Sequence, residues 1–343
     1  MQFRRLGSTE IEASAIALGT WAIGGWMWGG ADENAAIRTI QTALDAGITT
    51  VDTAPIYGFG RSEEIVGRAI RGRRRDSIVV ASKCGIPWDT KPFPPGVGEF
   101  HCFADDVGLS AEPSKYYLQR CLRPDVIRRG VEDSLRRLGT DCIDLMQIHH
   151  VGDATTPVAD AVGILEDLRW EGKIRAVGIS NATRSQLDEY CAAGQIDVAQ
   201  ERFSALDRTV EKNGVLDACR ERGVSFLAYS PLENGLLTGR LDPERVYGAG
   251  DFRADDPRFA KANVERVNAA LAQAAGIAKR LDLNVSQLAA AWVASRYERA
   301  VVLWGARTPE QALEAAGAGD AKLSADDFEE FDDILDSFGV KFD

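Results

Sequence analysis

The sequence has few of the features that mark membrane, secreted or nucleic-acid-binding proteins. No apolar run approaches the roughly 20 residues that a membrane-spanning helix needs, and no basic segment followed by an apolar one stands at the start. The formal net charge is -12, and no dense cluster of lysine and arginine is interleaved with aromatic residues. These absences predict a soluble, cytoplasmic protein that binds neither membranes nor nucleic acid.

Disulfide and metal-binding patterns are also absent from the sequence. The 6 cysteines are scattered, without a CxxC pair and without a cluster that includes one of the 3 histidines. We therefore expect reduced thiols and no metal site. The apolar fraction of 45% and the charged fraction of 27% are close to those of soluble globular proteins, which predicts a large buried core.

Short apolar runs alternate with longer amphipathic ones along almost the whole chain. After a predicted N-terminal hairpin, the runs with the character of strands are residues 16–18, 49–51, 78–81, 143–148, 174–179, 198–202, 224–228 and 300–303. The segments between them carry apolar residues at helical spacing. This alternation predicts an α/β fold, a (β/α)8 TIM barrel that forms a single domain over residues 1–343. A doubly wound open sheet is the alternative.

Three connections that follow predicted strands have unusual length or composition. Residues 85–124 and 231–257 are too long for simple turns, and residues 19–30 hold three tryptophans and five glycines without a charge. The paired glycines argue against a helix or a long strand in that third segment. In a barrel, loops after strands lie at the carboxyl-terminal face, where such enzymes have their active sites.

Polar side chains follow three consecutive predicted strands. Asp52 and Tyr57 follow the second strand, Lys83 the third and His149 the fourth, in VDTAPIYG, VVASKCG and DLMQIHH. Each of them alone is more typical of a turn, a packed ring or a solvated charge, but closure of the barrel would bring all four together. A buried lysine beside a carboxylate keeps its charge, which would lower the pKa of a nearby tyrosine and help it exchange a proton. A Schiff-base lyase or aldolase with Lys83 as nucleophile is an alternative use of these residues.

Six segments, in order over nearly the whole chain, resemble the aldo-keto reductase family, in particular its bacterial branch of general stress and inositol-catabolism reductases. They are VDTAPIYGFGRSEEIVG, IVVASKCG, DLMQIHH, KIRAVGISN, AYSPLENGLLTGR and GARTPEQ. The resemblance implies reversible hydride transfer between a nicotinamide cofactor and a carbonyl or alcohol group. It implies that Tyr57 is the general acid, that Lys83 tunes it and that Asp52 holds Lys83. It further implies that His149 orients the carbonyl, while His150 stands where relatives of this branch have tryptophan.

The resemblance also implies a cofactor site. Its nicotinamide end would involve Ser180, Asn181, Gln200 and Tyr229, and the turn that reaches the cofactor would be Gly19, Thr20 and Trp21. The pyrophosphate would be covered by Ser230, Leu232, Gly235 and Leu236. The adenosine-phosphate end would involve Gly305, Ala306, Arg307, Gln311 and Glu314. No lysine stands at the position for the 2′-phosphate of NADP(H), where the guanidinium of Arg307 would serve. NADP(H) is favoured and NAD(H) remains possible. A sensor that binds the cofactor without catalysis is a further alternative.

Tryptophans in two of the loops are the predicted substrate contacts. By resemblance, Trp21 belongs to a turn that reaches both cofactor and substrate. Trp26 and Trp28 have two interpretations, either packing under the rim or in a dimer contact, or a wall for aldehydes and the apolar faces of sugars. Trp88 would contribute to that substrate wall. The predicted partner is therefore a small carbonyl or sugar substrate. The natural substrate, the physiological direction and the oligomeric state remain open.

Overall fold

The computed structural model describes residues 1–107, 109, 114–153 and 155–340. Its strands are β1 (Phe3–Arg5), β2 (Glu12–Ser14), β3 (Ile16–Gly19), β4 (Thr50–Asp52), β5 (Val79–Cys84), β6 (Trp88–Asp89), β7 (Glu99–Asp105), β8 (Lys115–Arg120), β9 (Ile143–Ile148), β10 (Ile174–Ser180), β11 (Val198–Arg202), β12 (Ser225–Tyr229) and β13 (Ala300–Gly305). Its α-helices are α1 (Trp21–Gly24), α2 (Glu33–Asp45), α3 (Arg61–Ile70), α4 (Pro124–Leu138), α5 (Val158–Trp170), α6 (Arg184–Ala193), α7 (Thr209–Lys212), α8 (Val215–Arg222), α9 (Lys261–Arg280), α10 (Val285–Ser295), α11 (Pro309–Gly317) and α12 (Ala325–Ser337).

Eight of these strands close into a parallel barrel. Around it, the hydrogen-bonded order is β3, β4, β5, β9, β10, β11, β12 and β13, with β13 pairing back to β3. Every predicted strand run overlaps one barrel strand, and helices connect successive strands. The predicted (β/α)8 TIM barrel is therefore confirmed, as is the N-terminal hairpin formed by β1 and β2.

The core has two layers because neighbouring side chains of a barrel strand point to opposite sides. Ala17, Leu145 and Val301 belong to an inner cluster that also contains Leu6 and Ile11 of the hairpin. The hairpin contacts the segments where barrel strands begin, as in the bond from the Gly7 N–H to Ser225 Oγ (2.9 Å). It therefore closes the amino-terminal end, and the mouth that remains is at the carboxyl ends.

The long βα loops have more structure than the sequence predicted. Residues 85–124 contain a three-stranded antiparallel sheet in the order β6, β8, β7. Residues 231–257 contain short 3-10 turns at Glu233–Thr238 and Phe252–Ala254. The expectation that residues 19–30 hold no helix was wrong, because α1 forms one turn before the left-handed Gly25 ends it. Among the described residues, no helix is long and apolar enough to cross a membrane.

Candidate active site

A buried ion pair joins β4 and β5 at the carboxyl-terminal mouth of the barrel. Lys83 Nζ lies 2.6 Å from Asp52 Oδ1 and donates to the backbone oxygen of Thr53 at 3.0 Å. The other Asp52 oxygen accepts from the side-chain amides of Gln147 (3.2 Å) and Gln200 (2.9 Å). Burial disfavours the charged ammonium, but the charges and hydrogen bonds of Asp52 and Tyr57 together outweigh it and raise the pKa of Lys83. Lys83 is therefore a permanently charged group at neutral pH.

Tyr57 lies beside this ammonium, with Lys83 Nζ 4.9 Å from its ring centroid. Burial raises the pKa of Tyr57, and the attraction of Lys83 opposes this only in part. Lys83 lowers the pKa of Tyr57, as expected, but it does not bring this pKa below its ordinary value. Asp52 already neutralises much of the lysine charge, so it cannot compensate for the lost solvation of a phenolate. The hydroxyl of Tyr57 is protonated and available as a donor.

The three histidines of the chain form a row that starts at Tyr57. The His149 ring meets Tyr57 edge-on, with centroids 5.8 Å apart, and His150 stacks on His149 at 5.5 Å. His101, on β7, lies 5.3 Å from His150. Burial lowers the pKa of His149 well below its ordinary value, and it lowers that of His150 to about 4. Both imidazoles are therefore neutral at physiological pH.

Amide and hydroxyl groups at the ends of β10, β11 and β12 hold one another in place. Asn181 Nδ2 donates to the backbone oxygen of His149 at 2.9 Å, and Asn181 Oδ1 accepts from the Tyr229 hydroxyl at 2.8 Å. The φ of Asn181 is 59°, a left-handed conformation that asparagine tolerates better than most residues. Ser180 Oγ donates to the backbone oxygen of Gln200 at 2.7 Å. The strand ends are thus cross-linked around the mouth.

Glu201 is a buried carboxyl at the same end of the barrel and was not among the residues predicted from the sequence. Its Oε1 accepts from the N–H of Ala182 at 2.8 Å, which ties β11 to the turn that carries Asn181. Burial raises the pKa of Glu201 to about 8. Its place directly after Gln200, within a run of strand residues, was the signal available in the sequence.

Glu201→Gln should change the pH dependence of stability. The folded pKa of about 8 exceeds the ordinary value of about 4.3, so the carboxyl ionises first in the unfolded chain. Its contribution to the free energy of unfolding is present below about pH 4.3 and is lost as the pH rises towards about 8. Urea unfolding gives the free energy of unfolding of the variant and the wild type at each pH. Between about pH 5 and 8, the difference between the two should change by about 2 kcal/mol or more in favour of the glutamine variant. A constant difference over this range would contradict the burial of a neutral carboxyl.

A cleft of about 910 Å³ opens at the carboxyl ends of the strands. The predicted site residues that line it are Gly19, Thr20, Trp21, Trp26, Trp28, Asp52, Tyr57, His149, Ser180, Asn181, Gln200, Tyr229, Ser230, Leu232, Gly235, Gly305, Arg307, Gln311 and Glu314. Four predicted residues do not line it. Lys83, Leu236 and Ala306 are buried behind its wall.

Trp88 is the fourth of these, and the structure does not bring it to the cleft as expected. Its ring packs against Phe59, with centroids 6.1 Å apart, and lies under the guanidinium of Arg137 at 5.6 Å. Trp26 also packs on Phe59, at 5.4 Å, but it reaches the cleft wall. Trp88 therefore packs within the loop region instead of lining the cleft.

Two loops meet over the cleft through aromatic rings. Trp21 stacks on Phe252 at 5.4 Å with an interplanar angle of 18°, and Trp28 meets both rings edge-on. The guanidinium of Arg253 lies 4.7 Å from the centre of the Trp28 ring. Arg307 extends this contact by donating to the backbone oxygens of Trp28 (3.4 Å) and Gly30 (2.5 Å). The tryptophan-rich segment therefore forms part of the wall at both ends of the cleft.

The end of the cleft distant from Tyr57 is rich in arginine, although the chain carries a net charge of -12. The arginines in the cleft wall are Arg240, Arg245, Arg253 and Arg307, of which only Arg307 was predicted from the sequence. Two of these arginines are in ion pairs, Arg240 with Glu314 and Arg253 with Asp251. The adjoining segment has left-handed φ values of 54° at Ser230, 53° at Asn234 and 109° at Gly235. Such curled backbone turns N–H groups towards one concavity, a common arrangement for anions. This end of the cleft fits a ligand that carries phosphates.

Comparison with known proteins identifies the class of enzyme. The model of the Aldo/keto reductase family matches residues 15–336. The chain is 39% identical over 323 residues to the NADH-specific methylglyoxal reductase of Escherichia coli (strain K12), covering 93% of this chain and 94% of that protein. It is 35% identical over 339 residues to aldo-keto reductase YhdN of Bacillus subtilis (strain 168), covering 98% and 94%. The glycerol dehydrogenase AKR11B4 from Gluconobacter oxydans has a similar structure, with a TM-score of 0.83, 36% identity and coverage of 99% and 97%.

The barrel and the polar groups at its mouth define an α/β-barrel enzyme. Because these matches cover nearly the whole chain, it belongs to the aldo/keto reductase family. It is accordingly an oxidoreductase that acts on carbonyl or alcohol groups. The resemblance seen in the sequence is confirmed.

Proposed function

We propose that the protein interconverts a small carbonyl compound and its alcohol with a nicotinamide cofactor, and that Tyr57 transfers the proton. The observation that carries this proposal is the position of a protonated, buried phenol between the Lys83 ammonium and the neutral ring of His149. The cleft continues from this phenol to the arginine-rich end, as a long phosphate-bearing cofactor requires. The residues that line the cleft therefore fit a nicotinamide cofactor.

The cofactor would lie along the strand ends. Ser180, Asn181, Gln200 and Tyr229 would hold its nicotinamide end, and Arg307 with Gln311 would hold its adenosine end. When bound, the nicotinamide supplies a hydride to the carbonyl carbon of the substrate in the direction of reduction.

The protein's own groups handle the carbonyl oxygen. A neutral His149 ring N–H orients this oxygen by donating a hydrogen bond, and the Tyr57 hydroxyl gives it a proton as negative charge develops. The phenolate that remains is stabilised by Lys83, whose charge is held in place by Asp52. In oxidation, the same phenolate takes the proton back from the alcohol.

The two other functions considered for this site fit the geometry less well. A Schiff-base nucleophile must reach the substrate as a neutral amine, but Lys83 lies behind the wall, is 1% exposed and has a raised pKa. A sensor without catalysis has no need of a phenol, an ammonium and an imidazole in contact beside the cofactor cleft. An absorbance assay with NADPH and NADH against short aldehydes, ketones and sugars tests the proposal, which fails if no compound is turned over with either cofactor.

We propose that the enzyme prefers NADP(H), because Arg307 lies at the adenosine end of the cleft. The alternative is NAD(H), since the name of the Escherichia coli relative specifies NADH. Arg307→Leu should raise the KM for NADPH about tenfold by removing a contact with the 2′-phosphate. The KM for NADH is the internal control, since Arg307 also holds Trp28 and Gly30. An equal rise for both cofactors would show that Arg307 only supports the loop.

Trp21, Trp26 and Trp28 are the proposed apolar wall for the substrate. All three line the cleft, and Trp21 lies 6.3 Å from Tyr57 between ring centroids. Indole faces suit the carbon skeleton of an aldehyde or a sugar.

A further inference from the structure

Two histidines in the wall of the cleft, His101 and His150, have no part in the reaction proposed above. We propose that they form a polar subsite for a second oxygen of the substrate, a hydroxyl or carbonyl oxygen one or two carbons from the reacting carbonyl. This inference rests on the proposed function. It implies that the substrates are short hydroxyaldehydes, hydroxyketones and 1,2-dicarbonyl compounds.

The spacing of the rings supports such a subsite. The His150 ring is nearly parallel to that of His149, with an interplanar angle of 13° and 5.5 Å between centroids. A ring nitrogen reaches an oxygen at about 2.7–3.2 Å. Two nearly parallel imidazoles can therefore hold two oxygens of one short molecule side by side. With the carbonyl oxygen at His149 and Tyr57, the second oxygen falls at His150 or between it and His101, which lies 5.3 Å further along.

The chemistry of the two rings selects a neutral oxygen. A neutral imidazole has one N–H donor and one nitrogen acceptor, the same pair of functions that a hydroxyl group has. Burial and the nearby charge of Arg120 favour the neutral form of both rings, and the pKa of His150 falls to about 4. A hydroxyl can donate to one histidine and accept from the other, and a carbonyl oxygen can accept from either. An alkyl chain at this position would remove water from the ring nitrogens without giving them a hydrogen-bond partner.

One side of the wall near Tyr57 is formed by apolar side chains, which gives the subsite a directional role. Trp21, Trp26, Ile56 and Ile86 line the cleft there. A substrate with its oxygens on one edge and carbon on the other would satisfy both sides of the cleft at once. Such a substrate would bind in one orientation, with the carbonyl carbon fixed relative to Tyr57.

The subsite depends on the sheet formed by β6, β7 and β8. His149 and His150 follow β9 of the barrel, whereas His101 reaches His150 only because β7 lies over this side of the mouth. The loop after the third barrel strand therefore supplies a group for substrate selection, as loops at this face of a barrel commonly do.

The test compares two three-carbon aldehydes with the same cofactor, glyceraldehyde and propanal, which differ in their two hydroxyl groups. Wild type should have the higher kcat/KM for glyceraldehyde.

His150→Phe, which keeps a flat ring on His149, should lower the ratio of kcat/KM for glyceraldehyde to kcat/KM for propanal about tenfold. His101→Phe should lower the same ratio. His150→Asn, which restores a donor and an acceptor, should recover part of it. Phe103→Leu is the matched control, because Phe103 lies on the same strand but is 66% exposed, and it should not change the ratio.

Three results would overturn the proposal. A wild-type ratio near one, or equal ratios in wild type, His150→Phe and His101→Phe, would show that the histidines only pack beside His149. Because such enzymes would still reduce propanal, the proposed function would stand. A failure to reduce either aldehyde, or any other carbonyl, would overturn the proposed function and this inference together. If His150→Phe does not fold, the His101→Phe and His150→Asn ratios decide.

Discussion

Replacement of Tyr57 by phenylalanine should lower kcat for aldehyde reduction about a thousandfold, because it removes the proposed proton donor and leaves the ring in place. The ring makes its contacts with Trp21 and His149 through carbon atoms and stays over the Lys83 ammonium. The cleft therefore keeps its shape, and cofactor affinity should remain that of wild type. Steady-state kinetics give kcat, and quenching of tryptophan fluorescence, to which the tryptophans in the cleft wall contribute, gives cofactor affinity.

Tyr116→Phe is the matched control for this substitution. Tyr116 stacks on Phe59 beside the site, at 4.0 Å between centroids, and is not part of the cleft wall. It should retain normal turnover. If Tyr57→Phe kept a tenth or more of the wild-type kcat, the proton would have to come from another group, and the proposed role of Tyr57 would be wrong.

Lys83→Met is the second large effect we expect, and it concerns stability as well as activity. The substitution leaves the Asp52 carboxylate buried without its cation, which typically costs about 3–5 kcal/mol when one partner of a buried pair is removed. Turnover should fall at least about a hundredfold, because the phenolate form of Tyr57 loses the charge that stabilises it. Urea unfolding and steady-state kinetics measure the two effects separately.

The double variant Lys83→Met with Asp52→Asn separates structure from catalysis. The asparagine side chain would be neutral and its oxygen would still accept from Gln147 or Gln200, so much of the lost stability should return. Activity should not return, because no ammonium faces Tyr57. A double variant that regained activity together with stability would show that Lys83 only supports the fold. A single variant as stable as wild type would contradict the energetic importance of the pair.

The barrel could be predicted from the sequence because strand and helix periods alternate locally. The runs that became β9 and β11 were predicted with the bounds that the structure shows. The sheet in residues 85–124 was missed for a physical reason. Its longest strand, β7, has the sequence EFHCFAD and is partly exposed on both faces, so the run lacks the continuous apolar character of the barrel strands. Antiparallel pairing with β8 forms it, and such pairing depends on distant residues.

The predictable part of the site is the part that lies at strand ends. Asp52, Lys83 and Gln200 belong to regular strands whose register places them at one mouth. Residues that reach the cleft from loops were harder to foresee, since arginines at positions such as 240 and 245 look in sequence like ordinary surface charges. The lowering effect of Lys83 on the pKa of Tyr57 could be predicted, because the sequence shows which charge is nearby. The larger, opposing effect of burial could not, because the sequence does not show how completely the phenol is buried.

The most direct test of the central claim follows the hydride itself. Reduction of an unlabelled aldehyde with a nicotinamide cofactor deuterated at the transferring C4 position should give an alcohol with deuterium on its carbinol carbon, detected by mass spectrometry or NMR. Borohydride treatment of the same mixture should leave no covalent adduct on Lys83. An alcohol without deuterium, or an adduct trapped on Lys83, would contradict direct hydride transfer at this site.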